Sequence, residues 1–314
     1  MDRIRIPALD RAVSRIALGT WSMGGWMWGG SDQGAARATI ERALDEGIDI
    51  IDTAPVYGFG LSEELVGEVL AARGCRDDVV IATKCGFVWD ERHEPWRDSR
   101  PAIIRRDVEA SLRRLRTDVI DICQVHWPDK EVPFDETAAE LERLRSEGLI
   151  KAIGVCNYSV PEMVAFEAGG RLDASQFRYN LFERAVEVDV LPYAHDHGLT
   201  TFAYSPLARG LLTGTMTAGH ESTDPARRNG MFHGLSYRRH LAAVARLDAF
   251  AQAEYGRSVV HLAIRWLLDQ PGLSIALWGA RRPEQLEPVA GISGFAIDAD
   301  ACVEIDRILA EELG

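Results

Sequence analysis

Lysine is scarce in this chain: among 35 basic residues only three are lysine, at positions 84, 130 and 151. Arginine meets nearly every other cationic need. A position that keeps lysine therefore points to a use for a compact ammonium, whose pKa responds to burial, over a broad guanidinium that stays charged. Basic residues as a whole are outnumbered by 48 acidic ones, giving a formal net charge of −13, and such a field repels phosphate backbones and anionic lipid. Nucleic acid and membrane surfaces are excluded as expected partners. Long apolar runs are also lacking, with no stretch near the ~20 residues of a membrane helix. Residues 1–10 alternate charged and apolar side chains and carry no export-signal run. A cytoplasmic location is expected. Five cysteines, at 75, 85, 123, 156 and 302, form an odd set with no Cys-x-x-Cys pair, which argues against a disulfide framework and a zinc site. Reduced thiols and no bound metal are expected. The histidines are scattered and no strand-like run presents His-x-His, so metal-dependent hydrolysis ranks low.

What the chain does have is apolar content, 46% over 314 residues, and a recurring alternation of two periods. Short runs rich in Val and Ile fall at 15–20, 48–53, 79–84, 119–126, 151–157, 174–176, 199–204 and 274–279. Between them lie segments with apolar residues every three or four positions, such as 33–46, 62–73, 101–115, 136–147 and 185–197. Strand and helix repeated eight times is the pattern of a parallel sheet, because each parallel pair needs a crossover. The spacing predicts an α/β fold, a (β/α)8 barrel forming one domain over residues 1–314, since ~250 residues are typical of that barrel. The surplus predicts a small hairpin pairing 3–6 with 13–17 beneath the barrel and a trailing helix over 298–313. An open doubly wound sheet would bring a Gly-x-Gly-x-x-Gly turn after its first strand. Here that turn reads Gly19-Thr20-Trp21-Ser22-Met23-Gly24-Gly25. The aperiodic stretch 213–236 is expected to be a lid or clamp, since loops that long are usually functional.

In such a barrel, chemistry belongs at the carboxyl ends of the strands. Strand two ends in Asp52, strand three in Lys84, and strand four delivers His126. A carboxylate, an ammonium and an imidazole thus converge from neighbouring strands. The loop after strand two adds Tyr57. A phenol titrates near ~10, but a cation a few ångströms away favours the phenolate and lowers that value. Tyr57 beside Lys84 is then a candidate general acid and base, with Asp52 holding the ammonium and His126 orienting a substrate oxygen.

These residues, with their surroundings, resemble the aldo-keto reductase family over essentially the whole chain. The matching runs are Leu18-Gly19-Thr20-Trp21, Asp52-Thr53-Ala54-x-x-Tyr57-Gly58, Ala82-Thr83-Lys84, Gln124-Val125-His126-Trp127, Gly154-Val155-Cys156-Asn157, Tyr204-Ser205-Pro206-Leu207 and Gly279-Ala280-Arg281, in that family's order. The runs Gly24-Gly25-Trp26-Met27-Trp28-Gly29-Gly30 and 275–281 look most like its bacterial general stress protein branch. The resemblance implies a catalytic tetrad of Asp52, Tyr57, Lys84 and His126. It also implies a nicotinamide cofactor across the barrel mouth. Asn157 and Gln176 would bond its carboxamide, Tyr204 would stack on the ring, and Ser205, Pro206, Leu207, Arg209 and Gly210 would wrap the pyrophosphate, with Arg228 as counter-charge. Gly19, Thr20, Trp21, Asp52, Gly279, Ala280 and Gln285 complete the implied cofactor contacts. Arg281, with Arg282, would meet an adenosine 2′-phosphate, a match of guanidinium fork to dianion that favours NADP(H), with NAD(H) as the other possibility. The chain departs from the family pattern at Cys156, where Ser is usual, at Thr215, where many relatives have Lys, and at Pro288 and Val289, which replace a Glu-Asn pair.

Trp21, Trp26 or Trp28, Phe87, Trp89 and Trp127 are expected to line a substrate pocket over Tyr57 and His126. An aromatic wall without basic residues suits a neutral aldehyde, ketone or sugar carbonyl, reduced reversibly to the alcohol. Two other functions remain open on the residues alone: a Schiff-base lyase using Lys84, and a nicotinamide-binding sensor without turnover. Substrate identity, direction, stereochemistry and oligomeric state are open as well.

Overall fold

The computed structural model describes residues 1–219, 224–228 and 230–314. Two short antiparallel strands, β1 (Arg3–Ile6) and β2 (Arg11–Ser14), open the chain as a hairpin. The barrel begins with β3 (Ile16–Gly19), followed by α1 (Gln33–Asp45), β4 (Ile50–Asp52), α2 (Leu61–Arg73) and β5 (Val80–Cys85). A second hairpin, β6 (Phe87–Trp89) with β7 (Pro95–Arg97), precedes α3 (Pro101–Leu115). The alternation then resumes with β8 (Ile120–Val125), α4 (Phe134–Ser146), β9 (Ile150–Cys156), α5 (Val160–Glu167), β10 (Ala174–Arg178), α6 (Val190–Asp196) and β11 (Thr200–Tyr204). After the long loop come α7 (Gly234–Tyr255), α8 (Val259–Asp269), β12 (Ile275–Gly279) and α9 (Ala299–Leu313). Strands β3, β4, β5, β8, β9, β10, β11 and β12 are parallel neighbours in that order, and β12 pairs back onto β3 to close the barrel. The eightfold alternation is thus realised as a closed (β/α)8 barrel.

Strand periodicity sorts the barrel interior into two layers. Every second residue points inward, so Ala17, Ile50, Val80, Ala82, Ile122, Ala152, Ala174, Phe202 and Ile275 form one buried apolar cluster, which Ile6 and Val13 of the hairpin plug from below. Two residues further along, the same inward positions hold Asp52, Lys84, Gln124 and Gln176, and on β9 Cys156 follows two residues past Gly154; the four side chains and Cys156 are all buried. Outward-facing residues such as Ile51, Ile81, Ile153 and Val155 pack under the helices. The helices carry local signals at their ends. Asp32 caps α1 by accepting from Ala35 N at 3.0 Å, Pro101 occupies the first turn of α3, and α2 stops at a left-handed Gly74.

Some elements differ from the sequence expectation. The hairpin pairs 3–6 with 11–14, not 13–17; the chain bends at Arg15, whose guanidinium donates to the carbonyls of Leu268, Leu273 and Ser274, and Ala17 already belongs to the barrel. The helix expected over 185–197 splits into a 3-10 turn (Ala185–Glu187) and α6, because Asp189 turns out of helical geometry and caps Val190 N. Strand six runs to Arg178, two residues past the expected end. Of the stretch 213–236, residues 220–223 and 229 lie outside the described residues; the rest holds two 3-10 turns and the start of α7. All five cysteines are free thiols, and Cys85 and Cys123 lie 3.8 Å apart on adjacent strands.

Helices α2 and α3 approach closely at Gly67, where an added Cβ would lie 2.4 Å from the Arg114 carbonyl oxygen. Forcing a methyl into that contact costs about 1–3 kcal/mol. Gly67→Ala is therefore expected to lower the midpoint of urea unfolding at unchanged slope; an unshifted midpoint would show that the two helices have room to separate.

Candidate active site

The polar upper layer of the barrel opens into a cleft of about 560 Å³ at the carboxyl ends of the strands. At its floor Lys84 Nζ lies 2.8 and 2.7 Å from the two Asp52 carboxylate oxygens and donates to the Thr53 carbonyl at 3.0 Å. Gln176 Nε2 donates to the same carboxylate at 2.8 Å. Lys84 is 1% and Asp52 2% exposed, so neither charge has water to fall back on and each depends on the other. Burial, the largest single influence, pushes the Lys84 pKa down, but the charge and hydrogen bond of Asp52, with smaller contributions from Tyr57 and Cys156, together outweigh it, and the net shift is upward. The amine is held as an ammonium.

Tyr57 comes from the loop after β4, where Gly24 of the preceding loop packs against its backbone. A Cβ on Gly24 would sit 2.4 Å from Tyr57 O and one on Gly58 2.3 Å from Gly24 O, so bare backbone is needed at both. This contact fixes the phenol over the ion pair, with Lys84 Nζ 5.1 Å from the ring centroid. Burial raises the Tyr57 pKa; Lys84 pulls against it, Asp52 adds to it, and the net shift is upward. The expected lowering is therefore overturned in this structure: burial outweighs the pull of the ammonium, Asp52 offsets part of that pull, and Tyr57 rests as a neutral phenol, a proton donor.

His126 follows β8 and presents its ring edge-on to Tyr57 at 5.7 Å and to Phe87 at 5.1 Å. Burial, then the Lys84 charge, holds its pKa well below the usual imidazole value, which keeps it neutral. Its Nδ1 is buried and finds no hydrogen-bond partner among the described residues. The backbone of His126 is pinned by Cys85 O and by Asn157 Nδ2, which donates to His126 O at 3.2 Å. Asn157 in turn accepts from Tyr204 OH at 2.8 Å. Cys156 Sγ touches both amides, 3.1 Å from Asn157 Nδ2 and 3.6 Å from Gln176 Oε1, and burial pushes its thiol up to about 12.

The structure brings most of the expected site residues to this one cleft. Gly19, Trp21, Phe87, Trp127, Asn157, Gln176 and Tyr204 line it, as do Ser205, Pro206, Leu207, Arg209, Gly210, Gly279, Ala280, Arg281 and Gln285. Both Trp26 and Trp28 do so too. Three residues are placed elsewhere. Thr20 is fully buried, its hydroxyl donating to Asp52 O and accepting from Ser62. Trp89 packs on Phe59, away from the cleft. Arg228 is exposed to solvent, and its neighbour Arg227 lines the cleft instead, 5.4 Å over the Trp28 ring. Arg281 lines the cleft and also donates its two terminal nitrogens to the Trp28 and Gly30 carbonyls at 2.7 and 2.6 Å, lacing the loop after β3 to the turn after β12. Arg178 was missed because it lies beyond the expected end of strand six. It covers one face of Tyr204 at 5.5 Å.

A buried imidazole that stays neutral resists acid only at a cost. The unfolded chain takes up a proton at His126 below about pH 6.5 while the folded chain does not, so stability falls as pH drops, by about 1.4 kcal/mol per unit. Comparing unfolding free energies at pH 7 and pH 5, His126→Gln should lose less than the original chain, by about 2 kcal/mol. Equal losses would mean that the imidazole is not held neutral.

Comparison with known proteins agrees with this architecture. Residues 15–310 match the model of the aldo/keto reductase family. Aldo-keto reductase YhdN of Bacillus subtilis is 49% identical over 299 residues, 95% of this chain and 90% of its own. The NADH-specific methylglyoxal reductase of Escherichia coli is 38% identical, covering 100% of this chain and 99% of its own. The solved glycerol dehydrogenase AKR11B4 from Gluconobacter oxydans superposes with a TM-score of 0.93 at 46% identity, covering 99% of this chain and 96% of that one. The barrel, the cleft at its mouth and a family match across nearly the whole sequence together establish that this chain belongs to the aldo/keto reductase family of oxidoreductases.

Proposed function

We propose that this chain reversibly reduces a small neutral carbonyl compound with a nicotinamide dinucleotide, Tyr57 supplying the proton. The observation that carries the reading is the buried Lys84–Asp52 pair beneath Tyr57, with His126 beside it at the floor of the cleft.

The residues of the cleft fit the dinucleotide. Its volume of about 560 Å³ lies in the range of small-molecule sites. Gln176 and Asn157 bring amides to the inner end, and the turn after β11 curls its backbone through left-handed Ser205, Ala208, Arg209 and Gly210. Arg178, Arg209, Arg227 and Arg281 line the walls. Glu183 pairs with Arg178 and Arg209, and Asp224 with Arg227, which leaves a positive excess in a chain of net charge −13. That is an environment for a pyrophosphate. When bound, the dinucleotide supplies or accepts a hydride.

The chain's own residues would do the rest. His126, neutral, donates a hydrogen bond to the substrate oxygen without adding charge. Tyr57 donates its proton to the same oxygen as negative charge develops there, and Lys84 stabilises the phenolate left behind. Asp52 keeps Lys84 charged, and Gln176 keeps Asp52 in place. In the alcohol-to-carbonyl direction Tyr57 would have to start as phenolate, a form that its raised pKa makes scarce near neutrality, which favours the reductive direction there. A Schiff-base route through Lys84 would need a neutral amine, which the Asp52 contact opposes.

Among the described residues, Trp21 packs on Tyr57 and Phe87 on His126, and Arg97 stacks on Trp127 at 5.1 Å while donating to the Pro128 carbonyl, so the wall beside the reacting groups is aromatic. This suits short, uncharged, oxygenated carbonyls, the chemical type named for the methylglyoxal reductase and glycerol dehydrogenase relatives.

Tyr57→Phe removes the proton and leaves the ring, so turnover of a panel of small aldehydes and ketones with NADPH or NADH should drop by about 10²- to 10⁴-fold while dinucleotide affinity, followed by tryptophan fluorescence, is retained. Undiminished turnover would remove Tyr57 from the chemistry. A single round of dinucleotide oxidation without further turnover in the original chain would favour a sensor.

A further inference from the structure

A second cavity, of about 230 Å³, adjoins the cleft beyond the end of β12. Ser22, Arg281 and Gln285 line both spaces, while Arg282 and Asp32 line only the smaller one. The charges here are unequal in their commitments. Arg281 spends both terminal nitrogens on the Trp28 and Gly30 carbonyls. Arg282 is exposed and its guanidinium has no ion-pair partner among the described residues; its backbone N–H donates to Gln285 Oε1 and its carbonyl accepts from Gln285 N. Asp32 caps α1, a helix of 13 residues whose N-terminal end would otherwise offer partial positive charge to an anion. That positive end is already met by a carboxylate. An anionic group entering the cavity thus gains Arg282 and meets Asp32.

We propose that Asp32 is a specificity-determining residue, disfavouring a 2′-phosphate on the adenosine ribose and leaving the site open to the dinucleotide with a free 2′-hydroxyl. This rests on the reading that the cleft holds a nicotinamide dinucleotide, with its adenosine end at β12. The family resemblance directs attention to the arginines and so to the phosphorylated cofactor; the cavity adds an opposing charge from the other side of the barrel closure. A carboxylate accepts a hydrogen bond from a ribose hydroxyl, whereas beside a phosphate dianion it is repelled. Arg282 acts in the opposite sense, so the balance between the two side chains sets the ratio of NADPH to NADH affinity.

Asp32→Asn keeps an N-cap of equal quality and removes the charge, and Asp32→Ser repeats the test with another capping residue. Dissociation constants of NADPH and NADH, from quenching of tryptophan fluorescence in the full chain, should show both variants binding NADPH about five- to tenfold more tightly, with NADH changed by less than about twofold. Adenosine 2′,5′-bisphosphate and adenosine 5′-monophosphate, compared by calorimetry, should reproduce the difference without the nicotinamide. Arg282→Gln should weaken NADPH selectively. A ratio of affinities unmoved by Asp32→Asn and Asp32→Ser, or both dinucleotides shifting together, overturns the role of Asp32. An original chain that binds neither dinucleotide overturns the reading of the cleft itself.

Discussion

An ammonium and a carboxylate buried together inside a closed barrel set the terms for everything at its mouth. Removing either partner would strand a charge where water cannot reach it, a loss of about 3–5 kcal/mol for pairs of this kind. The barrel accommodates the pair because the layer beneath is apolar and partly small, with Ala17, Ala82, Ala152 and Ala174 pointing inward, and because Gln176 and the Thr53 carbonyl take up remaining hydrogen-bonding capacity. The pair is close to neutral as a unit. Burial keeps the proton on Tyr57 in spite of a cation 5.1 Å from its ring, and burial together with the charge of that same cation keeps His126 from acquiring one. A site built of a neutral phenol and a neutral imidazole is prepared to donate hydrogen bonds to an oxygen that is about to become negative.

Charge is distributed in the opposite way around the rim. The chain as a whole is strongly acidic, yet four arginines line the cleft, and each is tied down by a carboxylate, an aromatic face or a backbone carbonyl. Arg281 and the bond from Ala226 N to Met27 O join three separate loops over the cleft. These contacts hold the walls at fixed spacing without filling the interior. The loop over 24–30 takes part twice: its glycine backbone seats Tyr57, and its carbonyls receive Arg281.

Much of this was legible in the sequence because it depends on periodicity and on strand ends. Eight apolar runs alternating with helical segments admit few other closures, and once the runs are strands, Asp52, Lys84 and His126 must share one rim. Lys84 stood out through the rarity of lysine. Less legible were residues in aperiodic segments. Arg227 and Arg228 are adjacent, both basic and both in a loop, and nothing local decides which one turns inward; the packing of Ala226 and the Trp28 ring does. Thr20 was misplaced for a related reason: its motif is adjacent to the cleft, but its hydroxyl is drawn away by Asp52 O and Ser62. The split before α6 follows from a single residue, Asp189, whose cap competes with helix continuation.

The order of strands and helices, the side of the barrel that bears the polar residues and the identity of the buried cation follow from the chain itself, because they rest on spacing along it. Electrostatic character did not. Whether Lys84 acidifies Tyr57 depends on how deeply the phenol is buried and then on how closely Asp52 holds the ammonium, and how Arg281 is committed depends on which carbonyls lie within its reach. Both are set by residues tens to hundreds of positions apart, brought within 3 Å only by closure of the barrel.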